Sequence, residues 1–565
     1  MQKTTFVLIA FLFLRFTATS QAVVQWAKNI GSADNEYPTK ICADGQGNCY
    51  VAGAYSKTLS VCNDTLVEVR QTLNSNGAQN LFISKFDSLG NCIWTKTGVL
   101  IVPLLNSGNV GPEITDMKYF DGRLYCIGGF TDSIIFDNDT LFNPTCPNYC
   151  TTPFIIVFDA VSGSVSWSKC FEGSTTYSGI SSVVPYSGGV FIAGTYENYL
   201  TVDTVTLHPP YTYGYAAYIL KFNHTGQAVW GKHIGLSTNS YIGSMVFDND
   251  KNLYMAGGYA DTIIFPNDTI WDIMPGYERA TFFTKYDTLG NYVWSRGGRP
   301  LMRAFFRSTA LCYANNGNLY FAGSYDDTTR IGATTLTTPL NFYRDAIIKI
   351  DPNGQFLWAK ATGNRYFSQG FPSAIAANSR GFMLFSSFGD TTILGPDTLF
   401  SNGSLDDLLT QYDFDGNIIY YKHFGGISQE IAKDVYCTGQ HTYFTARTMS
   451  DYTIDSCNIA NVFAGDVLVA RMADSTIKAV ATGAYHIDRE TSFVVYPNPS
   501  TGAVIITGET EIKEIAISNY LGETVFTGKP NATSVTLHLP ASGLYVATIF
   551  NGQYYQTRKI IIVRP

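Results

Sequence analysis

Three short signatures recur seven times in a fixed order, and that repetition leaves few folds open to the chain. The first is a strand of small and apolar residues: YVAG (50–53), YCIGG (125–129), VFIAG (190–194), LYMAGG (253–258), LYFAG (319–323), MLFSS (383–387) and TYFTA (442–446). The second alternates: LFISKFD (81–87), FIIVFDA (154–160), AYILKFN (217–223), FFTKYD (282–287), AIIKID (346–351), LLTQYD (408–413) and VLVARM (467–472). The third is an aromatic strand followed by a basic residue. Its aromatics are Trp26, Trp94, Trp167, Trp230, Trp294, Trp358 and Tyr421, spaced 63–73 residues apart.

Another strand and a polar turn precede the first signature, as in ICADGQGNCY (41–50). DxxGN turns such as DSLGN (87–91) precede most of the aromatic strands, because Asp, Asn and Gly tolerate the positive φ of tight turns. Each unit therefore reads as four antiparallel strands, A to D, with an excursion such as DTIIFPNDTI between B and C. Four-stranded units repeated radially predict an all-β, seven-bladed β-propeller over 23–474. The seventh unit has no aromatic strand of its own, whereas an unpartnered one sits around Trp26. Placing it in the seventh blade closes the ring and removes an open edge.

Composition agrees with this reading. Aromatics reach 14%, glycines number 51, and charged residues are 15%, against the ~25% usual for soluble domains. A net charge of −8 argues against a nucleic-acid partner. Residues 1–22 carry Lys3, the apolar stretch FVLIAFLFL and a terminal SQA, the pattern of a signal peptide cut after Ala22. No later apolar run approaches the ~20 residues of a transmembrane helix. Eleven cysteines lie beyond that segment. Cys146 and Cys150 are spaced for a loop staple, Cys42 and Cys49 for a cross-hairpin pair, and most of the others for buried strand positions.

Through GNxYVAG…DxFIxKFDxxGNxxWxKxxG, the units resemble the SBBP-type β-propeller repeats of secreted bacterial proteins. That family carries no settled catalytic residues to transfer. Residues 475–491 lose the pattern and read as a linker, and 492–565 read as a small Ig-like β-sandwich. The latter resembles the type A C-terminal sorting domain of the bacterial type IX secretion system. The matching residues are Tyr496, Pro497, Asn498, Pro499, Gly502, Gly522, Leu539, Pro540, Gly543, Leu544, Tyr545 and Lys559. The resemblance implies a source in the Bacteroidota and export through the type IX machinery as partner. It also implies removal of the domain, followed by release or attachment to the cell surface.

Strand alternation puts the A–B and C–D turns on one face of the ring and the varied loops on the other. Those loops are 67–80, 98–113, 143–153, 208–216, 271–281 and 296–307. Tyr211, Tyr213 and Tyr215 in HPPYTYGYAAY offer flat faces with polar tips to a glycan or protein, although alternate tyrosines, Tyr218 among them, equally suit packing between blades. Arg296, Arg299, Arg303 and Arg307 offer guanidinium forks to an acidic polysaccharide, or else are solvated loop residues. The seven histidines form no metal-binding spacing, and no GxSxG, phosphate-loop or dinucleotide motif is present, so no cofactor is called for. Recurrent aspartates such as Asp64, Asp139, Asp268 and Asp397 read as turn formers. The expectation is a non-enzymatic binding propeller, with a polysaccharide lyase or glycoside hydrolase, or a structural surface component, as alternatives.

Overall fold

The computed structural model describes residues 22–473 apart from 33, 63, 68–78, 102–110, 132, 143–150, 174–178, 210–213, 238, 272–279, 298–309, 327, 338–342, 367–371 and 462–464. It also describes 493–564 apart from 520–523 and 552–554. Every regular element in these residues is a strand, and Ala22–Asp474 form one compact unit.

Within that unit each repeat supplies the core of one antiparallel sheet, its four strands hydrogen-bonded in chain order. Sheet one is Glu36–Ala43, Cys49–Tyr55, Asn80–Phe86 and Cys92–Ile101. Sheets two to six follow the same plan. Sheet seven takes Ile431–Thr438, His441–Thr448 and Asp466–Ala473, and its fourth strand is Val23–Ile30. The A strand of each sheet touches the A strands before and after it, and that of sheet seven touches that of sheet one. Apolar side chains fill each gap between sheets as a separate cluster. Cys42, Tyr50, Leu81, Ile114 and Phe154 lie between sheets one and two, and Trp26, Val467 and Tyr443 meet Ile41, Val51 and Phe82 between seven and one.

The signature residues act across these gaps. Each turn glycine of a C–D turn holds a positive φ and lies against the tryptophan of the preceding sheet. A Cβ on Gly90, Gly163, Gly226, Gly290, Gly354 or Gly416 would come within 2.5–3.0 Å of Trp26, Trp94, Trp167, Trp230, Trp294 or Trp358 respectively. The C-strand lysines reach the same turns: Lys85 donates to the Ala160 carbonyl at 2.8 Å and Lys349 to the Phe414 carbonyl at 2.8 Å. Arg471 stands at the lysine position of VLVARM and donates to the Ser88 carbonyl of sheet one. Each sheet thus grips the next in one direction.

Two sheets lack the cation: sheet two has Val157 opposite Trp167, and sheet six differs in both positions. Sheet seven has no C–D turn, because its D strand comes from the other end of the chain. In sheet six the lysine is replaced by Gln411, which turns back to the Phe382 and Tyr412 carbonyls of its own sheet. The register also corrects the sequence reading. Gln411 faces Tyr420, just as Lys349 faces Trp358, so Tyr420 rather than Tyr421 replaces the tryptophan.

The B–C excursion is a two-stranded hairpin in all seven units. It packs on the D strand of the preceding sheet: Ser133–Phe136 pairs with Gly98–Ile101, and Gly31 bridges Ser60. This covers an edge that would otherwise be open to pairing. Aspartates fasten the hairpins, as in Lys96–Asp137 at 3.0 Å, Lys169–Asp203 at 2.7 Å and Lys422–Asp455 at 2.7 Å. In sheet one a Cys62–Cys92 disulfide joins hairpin to D strand, a pairing that spacing did not reveal. The expected Cys42–Cys49 bridge does not form. Cys49 lies opposite Ala43 and Cys42 opposite Tyr50, so the two thiols face different clusters and both are free. Cys146 and Cys150 lie outside the described residues.

The C-terminal residues belong to a second unit. One sheet orders Val494–Tyr496, Ala503–Ile512 and Ala532–His538; the other orders Thr524–Gly528, Glu514–Asn519, Gly543–Phe550 and Tyr555–Ile562. Val504, Ile506 and Leu537 of the first share one buried core with Ile517, Ala547 and Ile560 of the second.

Two turn glycines separate the tryptophan contact from backbone strain. Gly226 (φ +81°) lies on Trp167, whereas Gly122 (φ +74°) faces open space. Alanine at either adopts a left-handed conformation at a cost of ~1–3 kcal/mol. Gly226→Ala should lose ~1–3 kcal/mol more in urea unfolding, because its methyl overpacks the indole. Equal losses would show that the contact carries no weight.

Candidate functional site

Among the described residues, an open cleft of about 360 Å³ is lined by Gly179, Ile180, Ser181, Thr195, Tyr215, Tyr241 and Ile242. It lies at the seam of sheets three and four, where the A strand of each carries a bulge, between Ile180 and Ser182 and between Ile242 and Ser244. A bulge re-aims side chains, and Ser181 shows the effect. Its hydroxyl crosses the seam to donate to the Ile242 carbonyl at 2.5 Å, with the Ala193 carbonyl at 3.2 Å.

The two tyrosines are placed by backbone contacts. Ser240 N–H donates to the Tyr215 carbonyl at 3.0 Å, Tyr215 bridges Asn239, and Ala217 N–H donates to the Ser240 hydroxyl at 3.1 Å. Tyr215 is therefore tied to the strand that carries Tyr241. Gly258 makes room for the second ring, since a Cβ there would overlap Tyr241. Both rings are half-buried. Among the described residues, the tyrosine phenols are the only ionisable groups that line the cleft.

Of the tyrosines singled out from sequence, Tyr215 belongs to this site, and Tyr211 and Tyr213 lie outside the described residues. Tyr218 is core: it packs edge-on to Tyr196, donates to the Gly179 carbonyl at 3.3 Å, and burial pushes its phenol far up. Arg296 projects from the D strand of sheet four over Trp294, at 5.7 Å from the ring, and donates to the Ser295 carbonyl at 2.7 Å. Arg299, Arg303 and Arg307 lie outside the described residues. The loops that hold them are largely undescribed as well.

Sequence reasoning missed a set of buried carboxyls, and each described one has a structural partner. Asp116 accepts from Val183 N–H at 2.9 Å, and Asp434 from Ile41 N–H at 3.0 Å, both across seams. Burial alone would raise Asp116, but the Lys118 and Lys40 ammoniums hold it below the ordinary carboxylate range. Asp406 pairs with His423 at 2.6 Å. Asp407 accepts from the Ser387 hydroxyl at 3.0 Å, and burial pushes its carboxyl far up. Glu430 accepts from the Ser450 hydroxyl at 2.5 Å and Gly426 N–H at 3.0 Å, Glu36 from the Ser32 hydroxyl at 2.7 Å. For Asp406 and Asp407 the available signal was a pair of acidic residues at the start of a C strand, LDDLLTQY; Asp116, Asp434 and Glu36 lie in A strands. Among the described residues no group of three or more His, Cys, Asp and Glu is arranged to hold a metal.

The second unit shows what its singled-out residues do. Asn498 accepts from Ile561 N–H at 2.8 Å, and Leu539 N–H donates to the carbonyl of Gly502, whose φ of +145° suits glycine. Tyr545 is buried and donates to the Ala541 carbonyl at 2.9 Å. Gly543 and Leu544 pair with Ile562 and Ile561, and Lys559 sits opposite Val546. Tyr496, Pro497, Pro499 and Pro540 are exposed, and Gly522 lies outside the described residues.

Residues 494–563 match the secretion system C-terminal sorting domain. The chain is thus an all-β protein carrying a type IX sorting domain, which engages the secretion machinery and directs export to the cell surface or the medium. Among the described residues no helix is long and apolar enough to cross a membrane. The chain is 23% identical over 378 residues to an uncharacterized WD repeat-containing protein, L264, of Acanthamoeba polyphaga mimivirus. That match covers 57% of this chain and only 26% of the relative's length. Among solved structures, PorZ of Porphyromonas gingivalis, described as a surface component of the type IX secretion system, overlaps at 10% identity and TM-score 0.27. The overlap covers 95% of this chain and 75% of PorZ. Trypanosoma rangeli sialidase overlaps at 10% identity and TM-score 0.35, covering 84% and 86% of the two chains. With TM-scores below 0.5, neither the role of PorZ nor the chemistry of the sialidase transfers to this chain.

The Glu36 carboxyl, completely buried beside the Asp466 carboxylate, is raised by that burial from its ordinary 4.5 to about 8. An acid raised on folding contributes stability that is complete below its unfolded pKa and is lost as pH climbs through the folded one. Melting temperature should fall between pH 4.5 and about 8. Glu36→Gln should flatten part of that slope, and an unchanged slope would show that Glu36 does not titrate in this window.

Proposed function

We propose that 23–474 is a seven-bladed β-propeller of SBBP-type repeats, closed by Val23–Ile30 and preceded by a signal peptide cut after Ala22. A linker over 475–491 would join it to an Ig-like sorting domain over 492–565. The ring of A-strand contacts and the seam clusters support this reading. So does the likeness to a protein named for WD repeats, a repeat that builds propeller blades.

On this scaffold the exported protein works as a non-enzymatic module that binds a glycan or protein at the loop-bearing side of the ring. One observation carries the proposal: among the described residues the cleft of sheets three and four is lined by two half-buried tyrosines and two hydroxyl side chains and by no carboxylate. Glycoside hydrolysis in its common form needs a pair of carboxyl groups across the scissile bond. Aromatic faces beside hydroxyls are instead a recognition surface.

The test is to screen the full exported chain on a glycan array and, in parallel, on polysaccharides assayed for new reducing ends and unsaturated uronides. Binding without product is expected. Product release that survives purification would replace this reading with a lyase or hydrolase.

A further inference from the structure

We propose that the seam of sheets seven and one holds an anion site, in which Lys433 and Arg447 together take a carboxylate or sulfate group of an acidic glycan. This rests on the binding-module reading and adds to it a second site of different chemistry.

Register sets this site at the place in its seam that the cleft holds between sheets three and four. The A-strand bulge that re-aims Ser181, between Ile180 and Ser182, re-aims Lys433 between Ala432 and Asp434. Arg447 lies opposite Ile431 as Thr195 lies opposite Gly179. Tyr37 takes the place of Tyr241. Gly465, whose carbonyl accepts from Glu36 N–H at 2.9 Å, takes that of Tyr215.

The other repeats show that the scaffold does not call for these cations. Sheets one to four carry Thr39, Thr115, Ser181 and Gly243 at the bulge. At the position of Arg447 they carry Ala54, Gly129, Thr195 and Gly258. Four sheets thus form with small or hydroxyl residues at both places, and sheet seven puts a charge at each.

The pair is also short of negative charge. Among the described residues neither cation has a carboxylate partner, and Arg447 gives one hydrogen bond, from Nη2 to the Asn35 side-chain oxygen at 3.0 Å. Its guanidinium lies over the Tyr37 ring, 4.2 Å from the centroid, and a Cβ on Gly465 would come within 2.6 Å of Nε and Nη2. Ring and glycine therefore set the plane of the guanidinium before a ligand arrives. Burial and the Arg447 charge both push the Lys433 ammonium below its ordinary range. The Asp407 carboxyl opposes that shift, yet its own burial pushes it far up and keeps it protonated. Residues 462–464, VFA in sequence, add no charge beside Gly465. Two half-buried cations in this setting favour an oxyanion that bridges them, the guanidinium supplying a fork of donors and the ammonium a point charge.

The experiment is calorimetric titration of the full exported chain with four probes. Tetragalacturonate carries carboxylates, a heparin tetrasaccharide carries sulfates, sodium sulfate is the small anion and cellotetraose the neutral control. At least one acidic tetrasaccharide should bind, more weakly as salt rises. Lys433→Gln and Arg447→Gln should each weaken it about tenfold to a hundredfold, and Arg447→Lys should recover only part, because an ammonium lacks the fork. Circular dichroism and melting curves matching the parent establish that the variants fold. Lys433→Gln breaks no hydrogen bond among the described residues, so it carries the test even if Arg447→Gln unfolds. Binding of sodium sulfate without either tetrasaccharide would overturn the glycan and leave the anion site. Acidic binding indifferent to both variants would overturn the site. Silence from every anionic probe would overturn the proposal, while cellotetraose and the glycan array decide the binding-module reading separately.

Discussion

The structure of the repeat unit depends on an indole ring lying over a turn glycine of the next sheet. Six tryptophans make this contact, and a lysine or arginine from the same sheets reaches the same turns at several seams. The residues of one repeat therefore meet those of its neighbour as well as one another. The turn glycine answers to the tryptophan one sheet back, so sheets one to five carry both halves of the contact, sheet six only the glycine and sheet seven only the tryptophan. This explains why the motif recurs along the chain, and why the tryptophan gives way to tyrosine in sheet six, where no turn lies ahead. Gln411 and Tyr420 are what remains when the partner is missing.

The strand order and the turn chemistry were legible in the sequence because both are local. Alternation, small residues and DxxGN turns each act within a few positions. What was not legible depends on register or on two sheets at once. Cys42 and Cys49 flank a turn as a bridged pair would, and one step of register separates them. Cys62 and Cys92 meet only because a hairpin folds back on the D strand. Tyr420 rather than Tyr421 is the tryptophan counterpart, as its place two residues before Lys422 already matches Trp358 before Lys360. The cleft needs two bulges and Gly258 in a neighbouring sheet, so nothing in HPPYTYGYAAY separates cleft Tyr215 from core Tyr218.

The scaffold also explains where charge is found and where it is absent. Lysines and aspartates are committed to seams and hairpin clamps, and the described buried carboxyls to backbone amides, serines or a histidine. Among the described residues, the cleft of sheets three and four is lined by rings, hydroxyls and aliphatic groups. In the C-terminal unit the division is similar. Gly502, Leu539 and Tyr545 build the domain, whereas Tyr496 and its neighbouring prolines face solvent.

The pairing of Val23–Ile30 with Asp466–Ala473 ties the order of events to the direction of the chain. The first strand to emerge during synthesis is the last to find its place, because its partner is made almost the whole length of the repeat region later. Until then sheet seven lacks an edge strand, and Trp26 and its neighbours stay out of the seam they fill. Such long-range pairing folds slowly. The two ends of the repeat region thus act as a clasp, and the seam between sheets seven and one is complete only when both are present.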